Sequence, residues 1–193
     1  NLFLHITGRR EDGYHELQTL FQLLDWGDTL HFTANSSGLV TLSGAPASIP
    51  DKENLILRAA QLLRSGNQGA HIELNKRIPQ GGGLVGGCSN AGTTLLALNH
   101  LWELKLDSAR LQELGATLGA DVPVFTAART AWAEGIGEQL TPVELPQCWY
   151  LVLVPQCHVS TAEIFSHEQL TRNSSPIKIA AFFEGHSRKD CQD

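Results

Sequence analysis

Pro79-Gln80-Gly81-Gly82-Gly83-Leu84-Val85-Gly86-Gly87-Cys88-Ser89-Asn90 is the stretch on which the reading of this chain turns. It follows residues 71–77, where Ile72 and Leu74 alternate with polar neighbours as in a strand. It precedes a run in which Leu95, Leu96, Leu98, Leu101 and Trp102 recur at helical spacing. Five of the seven residues from Gly81 to Gly87 are glycine. Glycine lets the backbone approach an anion closely and adopt positive φ. Amides at the start of the following helix then point at phosphates, aided by the helix dipole. A flexible loop is the plain alternative, but glycines set directly against a helix start favour an anion cradle.

Working outward, residues 54–63 carry Leu55, Ile56, Ala59, Leu62 and Leu63 at helical spacing, and Ser65-Gly66-Asn67 stops that helix. Upstream, residues 2–6, 29–34 and 39–43 read as strands. Residues 9–13 and Trp26-Gly27-Asp28 read as turns, and residues 17–24 are apolar and mixed. Downstream, Asp107 or Ser108 is the expected N-cap of a helix carrying Leu111 and Leu114. Residues 131–134 and 149–154 are the best strand candidates in the rest. Ser160-Thr161-Ala162-Glu163 is a capping-box pattern that predicts one more helix. Strands, helix, strand, glycine loop, two helices and strands again do not make the regular alternation of a doubly wound sheet; an α+β sandwich fits better.

Composition bounds the function. The 193 residues are 42% hydrophobic and 18% charged, a globular profile. A net charge of -6 leaves no basic footprint for nucleic acid. No apolar run approaches membrane-spanning length, and no signal-peptide pattern is seen. Cys88, Cys148, Cys157 and Cys191 include no CxxC pair, which predicts no cysteine metal site and a reducing compartment. His5, His31, His71, His100, His158, His167 and His186 show no ligand spacing. The chain has no Met and opens on Asn1-Leu2-Phe3-Leu4 as if mid-strand, so it reads as a fragment.

The glycine loop admits more than one phosphate-binding reading. No Lys-Ser or Lys-Thr closes it, so it is not a Walker A loop. Gly81, Gly83 and Gly86 satisfy GxGxxG with Glu103 at a suitable distance, but Glu103 falls in or just after a helix rather than at a strand end. What remains resembles the PxxxGLGSS-type motif of the GHMP kinases, and most closely the P-x-GGGLGGGSSNAA form found in the diphosphocytidyl-methylerythritol kinases. Asn1-Leu2-Phe3-Leu4 matches the end of that family's PAKLNLFL segment. Asp12-Gly13-Tyr14-His15 matches DGYH, and residues 51–56 match a D/E-NLI segment. Leu118-Gly119-Ala120-Asp121-Val122-Pro123-Val124-Phe125 matches LGADVPVF, and Ala133-Glu134-Gly135 with Gly137-Glu138 matches AEG-x-GE.

The resemblance implies a GHMP kinase N-terminal α/β sandwich domain over residues 1–145, with residues 146–193 the start of a truncated C-terminal domain. It implies ATP-dependent phosphorylation of the 2-hydroxyl of diphosphocytidyl-methylerythritol with Mg2+, in a bacterial cytoplasm, as a step of isoprenoid precursor synthesis. Asp121, alone a turn-forming or capping residue, is then the general base. Tyr14 and Phe165 become the aromatics that sandwich the cytosine ring, His15 bonds its edge, and Asn1 contacts substrate. Base stacking contributes about 1–3 kcal/mol. Asn54, Lys76, Pro79, Gly81, Gly82, Gly83, Leu84, Gly86, Gly87, Cys88, Ser89 and Asn90 form the ATP site, where Ser89 could also contact magnesium. Residue by residue, plainer roles stand beside these: an N-cap for Asn54, a solvated lysine for Lys76, a core aromatic for Phe165.

Three departures from the family accompany the match. Val85 stands where the family has Gly, and a β-branched residue at positive φ costs about 1–2 kcal/mol. Cys88 replaces a Ser, exchanging a hydroxyl for a weaker thiol donor. The family's lysine beside the catalytic Asp precedes the position of Asn1, and a second glycine-rich motif lies beyond residue 193. The chain alone is therefore expected to turn over poorly, and a degenerate nucleotide-binding module is the alternative reading.

Overall fold

The computed structural model describes residues 1–155 and 161–182. In chain order the elements are β1 (Leu4–Arg9), β2 (His15–Phe21), β3 (Thr29–Asn35), β4 (Val40–Ser43), α1 (Leu55–Leu63), β5 (Gly69–Asn75), α2 (Gly86–Leu101), α3 (Ser108–Leu118), α4 (Val122–Ala127), β6 (Ala131–Glu134), β7 (Gln139–Pro142) and α5 (Thr161–Ser166). This is the α+β class expected. The described residues gather into two compact units, residues 23–129 with 146–155, and residues 1–22 with 130–145 and 161–182.

The unit holding the glycine loop is built on a three-stranded sheet of order β3-β5-β4. β5 runs antiparallel to β3 and parallel to β4, so β4, α1 and β5 form a parallel crossover. Ala70, Ile72 and Leu74 of β5 are buried while His71, Glu73 and Asn75 are exposed, the two-residue period of a sheet covered on one face. Ile56, Ala59 and Leu63 of α1 and Leu95 and Leu98 of α2 pack on that apolar face, with Leu111 of α3 and Val122 of α4 in the same core. Full burial of such a side chain contributes about 1.5–3 kcal/mol. The helix starts follow their caps: Asn54 Oδ1 accepts from Ile56 N at 3.0 Å, and Asp107 Oδ1 accepts from Arg110 N at 2.8 Å.

The other unit is an antiparallel sheet of order β1-β2-β6-β7. Ile6, Leu20, Phe21, Ala131, Trp132 and Ala133 are its buried apolar residues. The Trp132 ring lies 5.3 Å from that of Phe3 and 5.7 Å from that of Phe182. Gln18 of β2 accepts from Ile177 N at 2.8 Å and donates to Ile177 O at 3.2 Å, which fixes Ile177 against the strand.

One expected strand is corrected. Residues 149–154 form no ladder among the described residues. They keep strand-like alternation, with Trp149, Leu151 and Leu153 strongly exposed and Tyr150, Val152 and Val154 less so. Alternation makes a segment fit for a sheet, but a strand also needs a neighbour for its backbone groups. The predicted helix at the capping box is present as α5, while Ser160 itself lies outside the described residues, as do Cys157, His158, His186 and Cys191. Cys88 and Cys148 are free thiols.

Candidate active site

The glycine loop leaves β5 at Lys76 and enters α2 at Gly86. Gly81 and Gly83 have φ of 67° and 70°, and Val85, at the N-cap of α2, has φ 53° and ψ 31°. The expected strain at Val85 is therefore present: the turn into α2 is left-handed, and a β-branched residue makes it. Valine supplies no side-chain cap, so the first amides of α2 are left for an outside acceptor. The loop closes over a cavity of about 390 Å³, a size suited to a small ligand. Asn54, Lys76, Pro79, Gly81, Gly82, Leu84, Gly86, Gly87 and Asn90 of the predicted set line it; Gly83, Cys88 and Ser89 do not. Room is tight at Gly86 but not at Gly82, where a Cβ would make only ordinary contacts. A Cβ on Gly86 would sit 3.1 Å from Ile78 Cγ2, and one on Gly82 would meet Pro79 O at 3.5 Å and Val154 Cγ1 at 3.6 Å.

Asp28 holds the loop's two ends together. Its side chain is 1% exposed. Oδ1 accepts from Arg77 N at 2.7 Å and Ile78 N at 2.8 Å, and Oδ2 accepts from Asn90 Nδ2 at 2.9 Å and pairs with Lys76 Nζ at 2.9 Å. One carboxylate thus ties the end of β5 to the first turns of α2. Burial alone would raise its pKa, but the donors from Ile78, Lys76, Arg77 and Asn90 outweigh burial and hold it below the usual carboxylate range. Lys76 Nζ also donates to Ile78 O, so this expected ATP-site lysine is engaged by its own loop. Sequence reading took Asp28 for a turn residue; only contacts made across the fold reveal the anchor.

Asp121 stands at the N-cap of α4 with φ −90° and ψ −8°, yet its side chain makes no capping hydrogen bond. The carboxylate is left for other chemistry. It is half-buried, and that burial raises its pKa. Cys88, in the first turn of α2, is pushed up to about 11 by burial and by the nearby Asp121 charge. α4 is carried close to α2 and α3 by small residues. A Cβ on Gly92 would fall 2.6 Å from Phe125 Cβ, and one on Gly115 would fall 3.0 Å from Val122 Cγ1.

In the other unit, the turn before β2 presents Tyr14 and His15. Arg10 N donates to Tyr14 O at 2.8 Å, Gly13 has φ 89°, and Asp12 Oδ1 accepts from Tyr14 N at 3.1 Å. Tyr14 is 61% exposed. The His15 ring lies 5.3 Å from that of Phe165 in α5, so two of the expected base-binding residues meet across a wide sequence gap. Asn1 is exposed ahead of β1. Arg172, which sequence reading passed over, donates from Nε to His15 Nε2 at 3.2 Å.

Glu103 lies just past α2 with φ 52°, not at a strand end, which removes the nicotinamide reading. Among the described residues no group of three or more His, Cys, Asp or Glu could hold a metal, and no helix is long and apolar enough to cross a membrane.

Comparison with known proteins agrees with this architecture. Residues 54–129 match the family described as GHMP kinases N terminal domain. Over its whole length the chain is 61% identical to a 4-diphosphocytidyl-2-C-methyl-D-erythritol kinase of Pseudomonas aeruginosa (strain UCBPP-PA14), spanning 69% of that protein. It is 57% identical to the corresponding kinase of Pseudomonas entomophila (strain L48), spanning 68%. A crystal structure of 4-(cytidine 5'-diphospho)-2C-methyl-D-erythritol kinase superposes with a TM-score of 0.65 at 46% identity, over 76% of this chain and 53% of that one.

Proposed function

The chain belongs to the 4-diphosphocytidyl-2-C-methyl-D-erythritol kinases, within the GHMP kinases, and from that premise we propose that its protein moves the γ-phosphate of ATP to the 2-hydroxyl of the cytidyl substrate through Asp121 and the glycine loop. The observation that carries the assignment of roles is the uncapped start of α2, open over a cavity, with an unspent carboxylate beside its first turn. Loop amides and the helix dipole stabilise the phosphates, and Asp121 accepts the proton of the attacking hydroxyl. Burial suits Asp121 to that task by raising its basicity. A bound Mg2+ would neutralise phosphate charge. It would be held there mainly by phosphate oxygens and water, since Ser89, the expected protein contact, does not line the cavity. Tyr14, His15, Phe165 and Asn1 hold the cytidyl substrate in this reading, with residues 1–145 as the ATP-binding domain and 146–193 as the start of the next. The Pseudomonas relatives support a bacterial cytoplasmic setting, and their identity does not favour a degenerate module.

Asp121→Asn is the test. Turnover should fall about 10²–10⁴-fold while ATP affinity holds. The base must be ionised and its pKa is raised, so the acid limb of the pH–rate profile should lie above the ordinary Asp value of about 3.9. Unchanged turnover in the variant would remove Asp121 from the chemistry.

A further inference from the structure

A neutral histidine has one donor and one acceptor nitrogen, and its partner decides which is which. Arg172 Nε lies 3.2 Å from His15 Nε2. A guanidinium only donates and does not give up its proton in a protein. Nε2 must therefore accept, and the ring proton sits on Nδ1. A second proton on Nε2 would set an imidazolium against the guanidinium. Burial, the charge of Arg172 and that of Arg9 all lower the His15 pKa and keep the ring neutral.

The same guanidinium reaches further. Nη1 donates to Leu170 O at 3.2 Å, and Nη2 donates to Phe165 O and His167 O, each at 2.9 Å. One planar fork thus joins the first residue of β2 to the end of α5, and so sets the distance between the His15 and Phe165 rings. A lysine offers no such fork.

We propose that Arg172 is a positioning residue of the pyrimidine site: it holds His15 as a neutral, Nδ1-protonated ring at a fixed distance from Phe165, so that the site offers a hydrogen-bond donor to an acceptor atom of the base. This rests on the reading of His15 and Phe165 as base-binding residues. Neither aromatic stacking nor the phosphate loop requires a particular histidine tautomer; the contact with Arg172 does.

The experiment is long-range ¹H–¹⁵N correlation of the His15 ring in the intact protein at neutral pH, repeated with Arg172→Lys and Arg172→Gln, beside steady-state kinetics. The unmodified protein should give the Nδ1–H pattern. An Nε2–H or imidazolium pattern overturns the proposal, whether or not the variants fold. In Arg172→Gln, where no obligate donor faces Nε2, the Nδ1–H pattern should be lost; in both variants KM for the cytidyl substrate should rise about tenfold or more, with the loss in KM rather than kcat and ATP affinity held. A risen KM in Arg172→Gln with the tautomer unmoved overturns positioning. A changed tautomer with KM unmoved overturns the base-binding reading of His15 and leaves the phosphate-loop assignment standing.

Discussion

Val85 and Asp28 pull the start of α2 in opposite directions energetically. Val85 spends stability to make a left-handed turn that glycine makes freely, while Asp28 gathers the loop's ends on one carboxylate. Val85→Gly should stabilise the fold by about 0.5–1 kcal/mol, the relief of αL strain less the entropy glycine adds to the unfolded chain. Urea unfolding measures this, and equal or lower stability would mean that the valine is unstrained. Asp28→Ala should cost about 3 kcal/mol, the lower end for breaking a buried pair, because Lys76 keeps some access to water. The pH dependence has a definite sign. The folded pKa of Asp28 is depressed, so its stabilisation is present above the unfolded Asp value of about 3.9 and is lost as pH falls through the folded value. Asp28→Asn should flatten the acid limb of the stability profile; superimposed limbs would show that the carboxylate is not depressed.

The elements differ in how openly the sequence announces them, and the reason is range. α1, α3 and β5 follow from caps and periods that lie within a few residues, and the loop between β5 and α2 follows from its glycines. α4 has six residues, too few to display a period, and it was missed. Asp28 reaches Asn90 across 62 residues of sequence and Arg172 reaches His15 across 157, and no local pattern encodes such contacts. Residues 149–154 carry the local pattern of a strand without the partner that makes one. The placing of Asp121 is equally non-local, since it depends on how closely α4 approaches α2. Gly92→Ala tests that dependence. Its Cβ would meet Phe125 Cβ at 2.6 Å, so α4 must shift. Overpacking should cost about 1–3 kcal/mol, and displacing Asp121, the proposed base, should lower kcat by up to about 10²-fold. Full kcat in a folded variant would show that the helix contact does not aim the carboxylate.

At the scale of the whole molecule, apolar surface and thiol chemistry are unevenly distributed among the described residues. Trp149 is fully exposed, and Leu151 and Leu153 are 87% and 79% exposed, on one side of an extended segment. Such a stripe draws self-association. Changing Trp149, Leu151 and Leu153 to Ser should reduce concentration-dependent light scattering while leaving the melting temperature nearly unchanged; a large fall in melting temperature would mean that the stripe is packed after all. The two cysteines with a described environment are contrasted too: Cys148 is exposed, while Cys88 is half-buried beside Asp121 with its thiol held at about 11. Near neutral pH only about one Cys88 in ten thousand is then a thiolate, and the thiolate is the reactive form. Peroxides and electrophiles therefore find little thiolate to attack at Cys88, so the sulfur that stands beside the glycine loop in place of a hydroxyl adds little oxidative liability.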